Sequence, residues 1–244
     1  METIIKKRLC IALVLTACVM SSLAQDAGDI LKKMDEVMFS PEDMTGRMKV
    51  VMTDKNEKQE IREATILQKG TEMRLFRFTS PPSQAGIAVL SLPDDVMYLY
   101  LPAYARERRI ATSAKNQNFA GTDFSYDDME SKSYYSKYTP ILLNTDNDFH
   151  VIELTPKAVS DYSRIVVKIN IKEFYPESME FYDRANNKIK TAKYTFQKIG
   201  NYWNASDVLM TNLRTGRKTN MQMSDIRYDT GLTDEDFTIR KLKQ

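Results

Sequence analysis

From Asp43 onward the chain alternates. Met44, Gly46, Met48, Val50 and Met52 fall on one face of an extended segment, and Thr45, Arg47, Lys49 and Thr53 fall on the other. The habit then recurs at roughly ten-residue spacing, punctuated by turn formers. Ile61 to Gln68 ends at Lys69-Gly70, and Met73 to Thr79 ends at Ser80-Pro81-Pro82. Ala85 to Leu92 and Val96 to Leu101 are joined by Pro93-Asp94-Asp95, and Arg106 to Thr112 follows. The second half does the same, with Ile165, Val167, Ile169 and Ile171 sharing a face. Hairpin turns are expected at Asn186-Asn187 and Thr215-Gly216. About eleven strands in an antiparallel meander are expected, closing with a short Phe237-Thr238-Ile239 strand. Such a sheet is mainly β and strongly curved. One long helix, over 26–39, carries Ile30, Leu31, Met34, Val37 and Met38 as an apolar stripe and needs the sheet to lie on.

The N-terminus fixes an expected compartment. Lys6, Lys7 and Arg8 precede an apolar run from Leu9 to Met20, and Ser22-Leu23-Ala24 is a small-x-small cleavage site. Export with cleavage after Ala24 gives a signal over 1–24 and a single domain over 25–244. A second reading is Leu15-Thr16-Ala17-Cys18 as a lipobox, which would anchor the chain through a lipid on Cys18. Both cysteines, Cys10 and Cys18, lie in the removed segment under the first reading. Disulfides, thiol catalysis and cysteine-based zinc sites are then excluded from the mature chain. The formal charge of +2 also belongs there, since Lys6, Lys7 and Arg8 outnumber Glu2. A balanced remainder has no electrostatic footprint for nucleic acid.

No catalytic motif stands out. His150 is the only histidine, and one imidazole makes no metal set. The acid pairs Asp94-Asp95, Asp127-Asp128 and Asp234-Glu235-Asp236 sit in turns or helix starts, where acids cap and solubilise. No enzyme, cofactor or metal is expected. Arg106 and Arg108 share a strand face that suits an anionic head group or a partner's carboxylates, or else keeps an edge strand soluble. The methionines at 34, 38, 44, 48 and 52 suit either an ordinary core or the wall of a cavity for ligands without fixed shape.

The stretch 97–129 is the most distinctive. Met97-Tyr98-Leu99-Tyr100-Leu101-Pro102 reads as a strand stopped by proline. The charged Arg106-Glu107-Arg108-Arg109-Ile110 strand comes next. Phe119-Ala120-Gly121-Thr122-Asp123-Phe124-Ser125-Tyr126-Asp127-Asp128-Met129 then reads as a corner at Gly121 and a short aromatic helix opened by Asp123 or Ser125. With Tyr182-Asp183, the turn at Thr215-Gly216-Arg217-Lys218-Thr219, Asp225-Ile226-Arg227-Tyr228 and the closing Asp236-Phe237, this block resembles the outer-membrane lipoprotein-sorting family related to LolA. The resemblance implies an incomplete antiparallel barrel with helices covering its mouth. It also implies a monomeric periplasmic carrier that holds acyl chains of a lipoprotein or other lipid, exchanged with an inner-membrane exporter. Carriers of the family have a basic residue followed by proline after the second strand; this chain has Lys69-Gly70 at that place. Expected lining residues are Met44, Met48, Met52, Leu99, Leu101, Val167 and Ile169. Expected mouth or partner contacts are Lys69, Arg106 and Arg108. The alternative is an accessory module of an envelope exporter that carries no lipid.

Overall fold

The computed structural model describes residues 27–244, so the expected signal, its cleavage site and Cys18 lie outside the described residues. The helix α1 covers 27–38. Thirteen strands follow in one antiparallel sheet, with the order β6-β5-β4-β3-β2-β1-β13-β12-β11-β10-β9-β8-β7. The first half comprises β1 (Asp43–Thr53), β2 (Gln59–Lys69), β3 (Met73–Ser80), β4 (Ala88–Leu92), β5 (Val96–Leu101) and β6 (Arg106–Arg109). The second comprises β7 (Tyr138–Thr145), β8 (Phe149–Pro156), β9 (Tyr162–Asn170), β10 (Pro176–Asp183), β11 (Lys188–Ile199), β12 (Tyr202–Asn212) and β13 (Lys218–Tyr228). Each half is a meander. They join where β1 pairs with β13, and β6 and β7 remain as free edges, so the curved sheet is not closed.

Alternation explains which face is buried. Residues directly opposite in an antiparallel pair share a face, so Met48 lies beside Met223, and Val50 beside Met221. On β1, Met48, Val50 and Met52 are buried, whereas Arg47 and Lys49 are exposed. The bulge opposite Thr45–Arg47 brings Ile226 over Gly46, where a Cβ would meet the Ile226 Cδ1 at 2.7 Å. A larger residue at that crossing would require the Ile226 side chain to shift.

The concave face is covered by α1 and by a plug over 110–133. Leu31 and Met34 of α1 are fully buried. Phe119 of the plug is stacked on Phe78 at 5.6 Å between centroids and stands edge-on to Phe76 at 5.3 Å. The short helix α2 (Tyr134–Lys137) leads into β7. The carboxylate of Asp35 on α1 accepts from the Ser133 hydroxyl at 2.6 Å and from the backbone N–H groups of Tyr134 and Tyr135, so α1 and α2 are fixed to each other.

Among the described residues, the convex face is covered over β2–β5. Leu75, Ala88 and Leu90 form a second small core there with Phe237 and Leu242 of the C-terminal segment, which includes the helix α3 (Ile239–Leu242). Asp43 fastens this segment. Its carboxylate accepts from the N–H groups of Thr230, Gly231 and Leu232 at 2.8–2.9 Å and from the Thr230 hydroxyl at 2.6 Å. Burial alone would push the Asp43 carboxyl up, but the donors from Thr230, Leu232 and Gly231 outweigh it and hold it below its ordinary 3.8. A depressed native value means that this stability is present above 3.8 and is lost as pH falls through the lower native value. The Gly231 and Leu232 amides, followed by NMR, should therefore lose exchange protection in acid. Asp43→Ala should remove that step and cost about 1–3 kcal/mol. Unchanged protection of both amides in that variant would discard the fastening role.

Three expectations are corrected by this architecture. The sheet has thirteen strands rather than about eleven. The strand β7 goes unrecognised in the sequence because Ile141-Leu142-Leu143 breaks the alternation and Pro140 argues against a strand; as an edge strand, β7 tolerates the proline. Phe237-Thr238-Ile239 is not a closing strand: a 3-10 turn over Asp234–Asp236 leads into α3, which is capped by the Thr238 side chain. The aromatic helix after Gly121 is only a capped turn. Ser125 and Asp128 exchange backbone-to-side-chain bonds at 2.8 and 3.1 Å, but no helix continues from them.

Candidate functional site

Where the plug and α1 stop short of filling the concave face, a hollow of about 220 Å³ remains. An engineered cavity of about 150 Å³ suffices to hold benzene, so this one has room for a segment of hydrocarbon chain. Met38 and Phe39 at the end of α1 and Met44 and Met48 on β1 form one side. Tyr194 and Phe196 on β11, Val208 on β12, and Met221 and Met223 on β13 form another. Trp203, the only tryptophan, stands at the start of β12 on the same wall. Met129 and Phe124 reach it from the plug. Six methionines on one hollow give a wall that changes shape at low cost, because each has three rotatable bonds and a polarisable sulfur.

The charged groups on the plug side of the hollow are engaged with one another or with neighbouring polar groups. The Arg74 guanidinium donates to the Gln68 side-chain oxygen at 2.6 and 3.1 Å and to the Met129 carbonyl at 3.2 Å, so it ties β3 to the plug. Burial lowers its pKa to about 10, opposed by the neighbouring Tyr134 and Glu130. Glu130 pairs with Lys115 at 2.7 Å, and both side chains are nearly inaccessible. Lys137 bonds Asp127 at 2.7 Å and lies 3.4 Å from Glu130. Burial would lower the Lys137 ammonium, but Asp127 and Glu130 win and raise it. Lys190 lies 3.7 Å from Asp128. Tyr134 and Tyr194 direct their hydroxyls at the Met179 sulfur, and burial raises both phenols far above their usual range. The result is an apolar wall facing a neutralised ionic plug. It can enclose a chain, but it has no nucleophile–base pair.

The expected lining residues divide. Met44 and Met48 are on the wall. Met52, Leu99, Val167 and Ile169 share its concave face but are buried in the filled part of the core, and Leu101 packs against that core half-buried. They lie elsewhere along their strands, within the packed core. Lys69 is not a free mouth cation: it bonds Asp234 of the C-terminal segment at 2.6 Å. Arg106 and Arg108 are exposed on the edge strand β6, away from the hollow. His150 bonds the Thr145 hydroxyl at 2.9 Å and stacks on Phe174. Among the described residues, no group of three or more His, Cys, Asp or Glu side chains is placed to hold a metal ion. The sequence reading missed Met221 and Met223, although Met221-Gln222-Met223 carries the same alternation as β1. It also missed Trp203, Tyr194 and Arg74, which nothing local marks as lining.

Solved structures share this architecture. An outer membrane lipoprotein-sorting protein domain from Vibrio parahaemolyticus is 29% identical over 91% of this chain and all of that one, with a TM-score of 0.84. A DUF1329 family protein from Desulfovibrio piger is 25% identical over 90% of this chain and 99% of that one, with a TM-score of 0.83. A LolA superfamily protein from Nitrosomonas europaea, 23% identical over 88% of this chain and 98% of that one, shares the fold with a TM-score of 0.76. A family model described as "Uncharacterized protein" matches residues 70–244, well over half of the chain. The chain belongs to this family, with the fold of the LolA-like lipoprotein-sorting proteins. No curated protein matches the sequence. The sheet of this chain is the curved, unclosed one described above, and the hollow lies between that sheet and its coverings.

Proposed function

We propose that this protein is a periplasmic, non-enzymatic carrier that takes the acyl chain of a lipoprotein or other lipid into the methionine-lined hollow for transfer towards the outer membrane. The observation that carries this reading is the hollow itself, an apolar wall left unfilled in a chain that fills the rest of its concave face. The LolA-like fold supports it, as does the lipoprotein-sorting description of a 29% identical neighbour. Burying a methylene contributes about 0.8 kcal/mol, so four or five would supply about 3–4 kcal/mol towards binding. The expected exchange partner is a membrane exporter, and the expected form is a monomer exported by cleavage after Ala24. Met44 and Met48 are the wall residues carried over from the sequence; Met223 and Val208 join them.

Trp203 provides the test. A fatty acid brominated along its chain should quench its emission on entering the hollow, and lipid extracted from protein purified from its native host should contain acyl species in near-equal proportion. An emission insensitive to brominated chains, with no lipid in the extract, would discard the carrier reading in favour of an accessory module. That second reading is supported by how much of the concave face is already solid core.

A further inference from the structure

One edge of this nearly neutral chain is strongly basic. The edge strand β6 reads Arg106-Glu107-Arg108-Arg109, and all three arginines are exposed. Its one acid, Glu107, is taken by Lys243 of the C-terminal segment at 2.7 Å, which also draws the basic end of α3 alongside the strand. Arg240 on α3 projects into solvent with 73% of its side chain exposed, held loosely by Glu235 at 3.7 Å. No ion pair or side-chain hydrogen bond engages Arg106, Arg108 or Arg109 among the described residues. The cations straddle the edge. Arg106 and Arg108 stand opposite Leu101 and Leu99 and share the concave side, whereas Arg109 stands opposite Tyr98 and shares the convex side with α3. Tyr104, 72% exposed, projects from the turn just before the strand.

Keeping a sheet edge soluble needs only a charge or two of either sign. Three unpaired guanidinium groups joined by Arg240, with a bare tyrosine beside them, go beyond that need. Guanidinium forks match phosphate oxygens, and an exposed tyrosine suits the boundary between head groups and water. A strand of only four residues is a poor template for an added strand, and cations on both sides of it suit a broad surface better than a groove. We propose that the β6 edge, with α3, docks edge-on against a bilayer surface rich in anionic phospholipid head groups. The inference goes beyond the carrier reading and holds whatever the hollow contains.

Flotation with vesicles tests it, using purified chains that share one N-terminus. Wild type should float with phosphatidylcholine vesicles containing about a third phosphatidylglycerol, but not with phosphatidylcholine alone, and should be released in high salt. Arg106→Glu/Arg108→Glu/Arg109→Glu should weaken flotation at least about tenfold. Lys55→Glu/Lys58→Glu, on the distant β1–β2 hairpin, should leave it unchanged. Should charge reversal disturb folding, as judged by circular dichroism and Trp203 emission, the milder Arg106→Gln/Arg108→Gln/Arg109→Gln decides. Equal binding by the folded variant overturns the proposal. So does absence of binding to the anionic vesicles, or capture of an acidic peptide by the edge without any vesicle binding. None of these outcomes depends on lipid in the hollow, so brominated-chain quenching of Trp203 reads the carrier function separately.

Discussion

Glu130→Ala is expected to destabilise this protein by about 3–5 kcal/mol, because it strips a buried cation of its counter-ion. Lys115 and Glu130 have side-chain exposures of 5% and 3% and meet at 2.7 Å. Truncating the acid leaves the Lys115 ammonium inside the plug with no partner and takes one of two carboxylates from Lys137. For a domain of this size each kcal/mol moves the melting midpoint by about 2–4 °C, so the fall should be roughly 6–20 °C. The comparison is Lys132→Ala. Its pair with Asp95 is far more exposed and is expected to be worth under about 1 kcal/mol. Lys115→Met/Glu130→Leu should recover most of the loss, since an apolar pair of similar volume avoids the desolvation cost of both ions. Thermal melts of the four proteins check the series. A Glu130→Ala melt within a degree or two of wild type would mean that the plug does not depend on this pair.

Met223→Asp is expected to abolish acyl-chain binding while leaving the fold in place. Met223 sits on β13 beside Met48, half-buried, with its side chain on the wall of the hollow. A carboxylate there keeps its water, so the folded chain loses little; an acyl chain entering the hollow would have to strip that water. Denying contact to about four methylenes removes about 3 kcal/mol, roughly a hundredfold in affinity. Met44→Asp, also half-buried on the wall, should behave alike. Met52→Ala is the counterpart: Met52 is buried away from the hollow and should lower stability by about 2–5 kcal/mol with little effect on affinity. Quenching of Trp203 by a brominated chain reads binding in all three. Unaltered quenching in both aspartate variants would place the ligand elsewhere or nowhere.

How far the sequence foretold this molecule depends on what period two can say. Alternation assigns residues to faces, so the expected strand from Val96 to Leu101 matches the observed β5 end to end. It failed at β7, where an edge position lets Pro140 stand in a strand without alternation. It failed again at the C-terminus, where the spacing of Phe237 and Leu242 serves a short helix over the convex face. The site was legible by face but not by depth. Met44, Met48 and Met52 have one parity, yet only the first two reach the unfilled end of the sheet. Which end stays unfilled is decided by Phe119 and its neighbours, packed from a segment without regular structure. Arg74 was hidden for the same reason, since its partners at Met129 and Glu130 are irregular backbone 55 and 56 residues away.

The pairing of β1 with β13 has a consequence for when the molecule can become complete. Met44 meets Tyr228 and Thr53 meets Lys218, so the seam between the two halves waits for the last strand to be made. Closing a loop of that length carries an entropic cost which contacts within each meander do not share, and topologies dominated by such distant pairings fold slowly. Until then β1 has only β2 beside it, and the methionines destined for the hollow lie bare along an unpaired edge. The same hydrophobic surface that would later shelter a lipid is, during that interval, a hazard for the chain itself.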